Sequence, residues 1–276
     1  MIKVHFLGVR GSTPCADTRY SQYGGHTSCI LVEADGGVFI FDAGSGIVNA
    51  SAIALQQPDR ECHLFFSHVH LDHIMGFPFF APLWFKDYTV NIRAGSLGAY
   101  GGIKDFFTRT LKEPLFPVPF TAFTGNAAGN IKCEDFVAGQ TYMLGNVRID
   151  TFPLNHPNGA VAYRLTHDGK SMCYVTDHEH GDGSNRDGLL EFIKGTDVFI
   201  YDSTFADDNF AKFKGWGHST WQEALRLGDD AEVAKTVIFH HDPLNTDEKM
   251  TIIEEQVQEF SHRGVVSRQG MIIPIS

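Results

Sequence analysis

The stretch FFSHVHLDHIMGF, residues 65 to 77, places His68, His70, Asp72 and His73 within six positions, directly after an apolar run. A hydrophobic core has no use for such a cluster, whereas imidazole and carboxylate are good ligands for zinc and its neighbours. In an extended chain residues i and i+2 point to the same side, so His68 and His70 can grip one ion together. Asp72 and His73 follow where the chain turns toward a helix, aim elsewhere, and suit a second ion. Open coordination positions at such a site would make it catalytic rather than structural.

The chain has 14 histidines. His5, His63, His167 and His262 stand alone and read as surface or structural residues. Most of the others lie in clusters, and those clusters are informative. VTDHEH brings Asp177, His178 and His180 together at a strand end, and VIFHHDP offers His240 and His241. Successive strand residues face opposite ways, so only one of that last pair is expected to ligate. Spacing favours His240. The roles of His26, His178 and His180 stay open.

HVHLDH resembles the H-x-H-x-D-H signature of the metallo-β-lactamase superfamily. The resemblance extends to FDAGSG at 41–46, to His156 in LNHPNG, to Asp177 and to His240, and so covers residues 2 to about 245. It implies a four-layered αβ/βα sandwich with a dinuclear metal site between the sheets. It assigns His68, His70 and His156 to one metal, Asp72, His73 and His240 to the other, and Asp177 to both as a bridge. Asp42 is then expected to orient a ligand histidine through its other ring nitrogen. The implied cofactors are two divalent metal ions, Zn2+ first, with Mn2+ or Fe2+ as alternatives.

KGWGHSTWQEAL, residues 214–225, points to a branch. Its H-S-T resembles the motif of ribonuclease Z and phosphodiesterase-like members, 22 residues before His240. TWQE reads as a capping box, with Thr220 at the N-cap and Glu223 three residues on. A helix starting there would offer free N–H groups to an anion. The expected activity is therefore hydrolysis of a small phosphodiester, cyclic-nucleotide-like or otherwise, by a hydroxide bridging the metals. His218, Asp72 and Asp177 would be catalytic. Ser219, Thr220 and Arg164 would bind substrate, with Lys214 a weaker candidate. Asp202 and Thr204 in YDSTF would support Asp177 or serve as turn residues. Hydrolysis of a carboxylic ester, thioester or lactone, tRNA 3′-end processing, and metal-dependent sensing without turnover are the alternatives.

The formal net charge of −11 repels polyanions. No protruding basic arm is recognisable, so a small anionic substrate is expected rather than nucleic acid. No apolar run reaches the roughly 18 residues that span a bilayer, and MIKVHFLGVRGS reads as a strand rather than a signal peptide. The five cysteines are odd in number, scattered, and lack C-x-x-C. A cytoplasmic location without membrane association is expected, and a homodimer is among the expected assemblies.

The elements that must position these groups are legible in outline. Strands are expected at 2–7, 28–34 and 38–42, with a DGG hairpin turn between the last two, then a helical stretch at 47–56 and a strand at 62–66. EPLFPVPF at 113–120 cannot be a helix interior. The Phe/Pro-rich region of about 105–125 is either a wall over the substrate or ordinary core. Strands follow at 146–154, 160–165, 171–175, 197–201, 236–240 and 271–275, with helices at 187–194, 219–228 and 247–261. No repeat or linker interrupts them, so residues 1–276 are read as one domain.

Overall fold

The computed structural model describes residues 1–124 and 130–276. The last residue of the Phe/Pro region, at position 125, falls outside them. One seven-stranded sheet uses β1 (Ile2–Gly8), β2 (Cys29–Ala34), β3 (Gly37–Phe41), β4 (Glu61–Phe66), β5 (Thr89–Ala94) and β6 (Asn130–Asp135). The second is built from β7 (Thr141–Leu144), β8 (Val147–Leu154), β9 (Ala160–His167), β10 (Lys170–Val175), β11 (Val198–Asp202), β12 (Thr236–Phe239) and β13 (Gly264–Val266). A last strand, β14 (Ile272–Ile275), returns to the first sheet beside β1.

Three apolar interfaces make the four layers. Val4, Phe6, Phe41, Phe65, Tyr163, Tyr174 and Phe239 fill the space between the two sheets. The outer face of the first sheet packs Leu64, Phe66 and Ile92 against Phe77, Phe107 and Phe120. The outer face of the second packs Val175, Phe199 and Ile238 against Leu225 and Leu227 of the helix Trp221–Asp230. A sheet apolar on both faces has to be covered on both. The strands β11 and β12 are buried at every position for that reason.

Each sheet changes character half-way. Strands β14-β1-β2-β3 pair antiparallel, and Asp35-Gly36 makes the two-residue turn between β2 and β3 with positive φ at both positions, as expected of that hairpin. From β3 onward the pairing through β4, β5 and β6 is parallel. Likewise β7 to β10 are antiparallel and β10 to β13 parallel. Each sheet thus contains both kinds of pairing. Parallel pairs need a crossover. After β3 the crossover is a 3-10 turn, Ser45–Ala50, running into the helix Ser51–Leu55, where one helical stretch was expected.

Four strands, β5, β6, β7 and β13, and the nine-residue helix Gly102–Thr110 were not expected from the sequence. EPLFPVPF is non-helical, as its prolines require. Of the Phe/Pro region, Phe107, Phe120 and Phe123 are buried core. Among the described residues, no helix is long and apolar enough to cross a membrane.

Candidate metal centre

The cluster forms where parallel strands end. Open α/β sheets place ligand sites outside the carboxyl ends of their strands. Asp42 follows β3, Ser67 and His68 follow β4, Asp177 lies two residues past β10, Asp202 ends β11 and His240 follows β12. Asp42, Asp177 and His240 each have left-handed backbone, with φ of 62°, 50° and 62°. That conformation costs a non-glycine residue energy and concentrates at functional sites. It turns the chain sharply at each strand end.

His70 is extended, and the helical turn Leu71–Ile74 starts immediately after it, carrying Asp72 and His73. The two halves of the motif are thus divided as their spacing implied. His68, His70 and His156 present ring nitrogens within 4.8 Å of one another, and so do the donors of Asp72, His73 and His240. The carboxylate of Asp177 is split between the two groups. Its Oδ1 lies 3.2 Å from His73 Nε2 and 3.3 Å from His240 Nε2. Its Oδ2 lies 3.6 Å from His68 Nε2 and 3.8 Å from His156 Nε2. All seven groups singled out as ligands therefore meet in one place.

The partners of these groups fix their orientation. Asp42 Oδ2 accepts from His73 Nδ1 at 2.8 Å, from Tyr174 and from the Ser67 hydroxyl, while its Oδ1 takes the Ser67 amide. His156 Nδ1 donates to Gly217 O at 2.7 Å. Thr204 Oγ1 lies 3.0 Å from His240 Nδ1 and donates to Asp202 at 2.8 Å. The Ser12 amide donates to Asp72 Oδ2 at 2.7 Å. Gly11 stands so close that a Cβ there would lie 2.4 Å from the His240 ring.

The donors fit cations. His68, His73 and His240 each bury an Nε2 atom that has no hydrogen-bond partner; His73 and His240 face both the Asp72 and Asp177 carboxylates, and His68 faces Asp177. A buried polar atom left alone is costly. Burial pushes His68 well below its ordinary pKa and keeps it neutral, the form that ligates. Burial opposes charge on His73 too, yet Asp177, Asp72 and Asp42 outweigh it and push that imidazole well above its usual value. The centre is a pocket of negative potential, which cations would neutralise.

His218 stands at the rim. Its Nδ1 donates to Asp202 Oδ2 at 2.8 Å and lies 3.8 Å from Asp177 Oδ2. Burial disfavours its charged form, but Asp202, with Asp177 and Asp72 behind it, raises its pKa to about 9. Asp202 and Thr204 thus support His218 and His240 rather than Asp177, and they also serve the other expected role, as turn residues, with the Thr204 amide donating to Asp202 Oδ1 at 3.1 Å.

The family model described as "Beta-lactamase superfamily domain" matches residues 38–241. The chain belongs to the metallo-β-lactamase superfamily. A ribonuclease Z of Haloarcula marismortui is 22% identical over 324 aligned positions, spanning 98% of this chain and 96% of that protein. The metallo-β-lactamase fold protein YhfI of Bacillus subtilis superposes with a TM-score of 0.72 at 17% identity, over 99% of this chain and 100% of that one. A diphosphatase of the PhnP family does so at 0.69 and 17%, over 100% and 98%. The chain is a metal-dependent hydrolase of this superfamily, in its ribonuclease Z-like branch.

Within that superfamily frame, three expected substrate-binding residues are corrected. Arg164 lies part-way along β9, and its guanidinium donates to Phe192 O, Lys194 O and Ser171 Oγ, so it does not reach the centre. Ser219 is fully buried, its hydroxyl shared between His180 and Tyr201. Thr220 does cap its helix, accepting from Glu223 N at 3.1 Å, but it donates to Asp207 at 2.6 Å. Asp207 already occupies that helix end and would repel a phosphate there. Glu223 turns to Arg226 instead of completing a capping box. Lys214 is spent on an exposed pair with Asp182.

The remaining histidines are placed as well. His241 lies fully buried with Nε2 against Ser267 O, which leaves His240 as the member of the pair that faces the Asp72 and Asp177 carboxylates. His178 bridges Asn155 N and Ser184, and burial lowers its pKa to about 4. His180 stacks on Phe210. His26 meets Ser45.

Glu179, which its sequence position past the strand end leaves equally as pocket lining or solvent-facing, turns out to position a loop. Its carboxylate accepts from Gly215 N at 2.7 Å and Gly217 N at 2.8 Å, pinning the loop that carries His218. The signal was present in the paired glycines of KGWGH, which expose two backbone donors.

Proposed function

We propose that this protein is a phosphodiesterase that acts on small anionic diesters and holds two divalent cations at the His/Asp centre. Zinc suits the nitrogen and carboxylate donors best, with manganese and iron(II) next. The observation that carries the reading is the divided carboxylate of Asp177, whose two oxygens face two separate donor groups. Bound there, two divalent cations would acidify water and polarise a phosphoryl oxygen. The protein's own part is positional and acid–base. Asp72 and Asp177 stay ionised: burial opposes their charge, but the histidines around them hold both well below the usual carboxylate range. His218 keeps Nδ1 on Asp202, and among the described residues its Nε2 has no hydrogen-bond partner. That nitrogen can give a proton to the departing alkoxide. Positioned proton transfer of this kind contributes about 10²–10⁴-fold.

Hydrolysis of bis(p-nitrophenyl) phosphate tests the proposal, comparing metal-loaded protein, a chelated sample and His218→Ala. Turnover that needs metal supports it, and a fall of about 100-fold or more in His218→Ala with a diester that releases an alkoxide, larger than the fall with the p-nitrophenolate leaving group, supports the proton-donor role. Metal binding without turnover sinks it and turns attention to carbon esters.

One second reading has its own support. The ribonuclease Z relative matches end to end, so cleavage of tRNA 3′ trailers stays beside the small-diester reading. Against it stand 33 acidic residues to 22 basic ones, since nucleic-acid binding leans on lysine and arginine contacts to phosphate. A precursor tRNA in the same assay separates the two. A cytoplasmic setting is supported by the five free cysteines, and one domain over 1–276 by the core that both sheets share.

A further inference from the structure

A cavity of about 190 Å³ opens directly onto the first donor group. His68 and His70 form one wall, so whatever fills the cavity touches the metal-binding side chains. Val69, Leu97, Tyr100 and Phe106 supply most of the rest, and among the described residues no Lys, Arg, Asp or Glu lines it. Its composition is at odds with its surroundings. The centre next door is built from carboxylates and imidazoles in a chain of net charge −11.

The apolar wall is tied to the ligand set. Asn158 has left-handed backbone at φ 66°, a conformation asparagine tolerates better than most residues. Its side-chain oxygen accepts from the Tyr100 hydroxyl at 3.3 Å, and its amide nitrogen lies 3.4 Å from His70 Nε2. Asn158 therefore links the Tyr100 ring to His70. Gly159, at φ 82°, adds no side chain to the lining, and a Cβ built there would come no nearer than 4.0 Å to Ser96 Cβ. The cavity is thus free of a side chain at Gly159 and lined elsewhere by the rings of Tyr100 and Phe106 beside the aliphatic Val69 and Leu97.

We propose that this cavity is a specificity subsite that takes one uncharged planar ring of the substrate, the retained aryl or base substituent of a phosphodiester whose phosphate lies at the metal centre. The inference rests on the phosphodiesterase reading and narrows it to diesters bearing an aromatic group. Tyr100 and Phe106 are the specificity-determining residues. Flat rings favour offset or edge-on partners, and a cavity without charges selects against a second phosphate or an ammonium group.

The test uses two diesters that release the same p-nitrophenolate and differ only in the retained group: phenyl p-nitrophenyl phosphate and methyl p-nitrophenyl phosphate. With metal-loaded protein the phenyl diester should be preferred about tenfold or more in kcat/KM, as the burial of a ring over a methyl group would give. Tyr100→Ala and Phe106→Ala should each reduce that ratio severalfold. Tyr100 is 45% exposed, so its replacement leaves the core intact. Equal kcat/KM for the two diesters, or an unchanged ratio in both variants, overturns the subsite. If neither diester is hydrolysed, the phosphodiesterase reading fails. Calorimetric binding of phenylphosphonate and methylphosphonate then decides the subsite alone: a phenyl preference that Tyr100→Ala reduces upholds it, and no preference overturns it.

Discussion

Asp42 Oδ2 accepts the Nδ1 proton of His73 at 2.8 Å, and neither side chain is reached by solvent. The bond fixes which nitrogen of His73 faces Asp72 and Asp177. Losing a partner of this kind lowers metal affinity by about 10–100-fold. Asp42→Asn should therefore weaken metal binding by that factor while leaving the ligand residues in place. Competition with a chromogenic chelator reads it, and affinity equal to wild type would show that Ser67 and Tyr174 hold the arrangement without the charge.

His240 and His241 make a sharper comparison, because they are neighbours with opposite surroundings. His240 Nε2 faces Asp72 Oδ2 and Asp177 Oδ1 at 3.3 Å each, whereas His241 Nε2 sits 2.9 Å from Ser267 O. His240→Ala is expected to drop the bound metal from two equivalents toward one. His241→Ala should keep both and lose about 1–3 kcal/mol of stability through the unpaired carbonyl and the space left behind. Metal analysis after gel filtration, with a urea melt of each variant, checks both halves.

These two cases show what was legible beforehand. The grouping of the candidate ligands could be read from the sequence because strand periodicity sorts His68 with His70 and separates them from Asp72 and His73. His240 could be preferred by spacing but not decided, since its orientation depends on a left-handed turn that no local pattern announces. Arg164, Ser219 and Thr220 were misread for a common reason. A polar side chain near a motif looks available until its tertiary partners are known, and here Phe192, His180 and Asp207 had already engaged them. The strands β5 and β6 were legible but unread: TVNIRA and NIKCED carry short period-2 alternations that the neighbouring Phe/Pro-rich stretch overshadows.

Glu179 offers a test of the loop that holds His218. Its carboxylate is the acceptor for two amides, those of Gly215 and Gly217, and the Gly217 carbonyl in turn accepts from His156. Glu179→Ala strands both donors in a largely buried place and should cost about 1–3 kcal/mol. It should also lower kcat more than it raises KM, because the residue displaced, His218, is the one proposed to give the proton rather than to contact substrate. Glu179→Gln keeps an acceptor and should recover part of kcat. A loss in KM alone would mean that the loop serves binding.

The last prediction concerns pH and a residue remote from the metals. His63 stacks on Phe39 at 5.3 Å, and Arg93 lies 3.1 Å from its Nδ1. Burial first, then the charge of Arg93, lowers its pKa to about 4 from an ordinary 6.5. The folded protein thus keeps His63 neutral where the unfolded chain takes up a proton. Between pH 6.5 and 4 the unfolded state binds more protons, so stability falls as pH falls through that window and levels off below it. The contribution should be on the order of 1–2 kcal/mol, discounted for partial exposure. Urea melts at pH 7 and pH 4.5 of wild type and His63→Gln separate this term from protonation of the metal ligands, which both proteins share. The wild type should lose more stability on acidification than the variant. Equal losses would place the acid sensitivity in the metal centre alone.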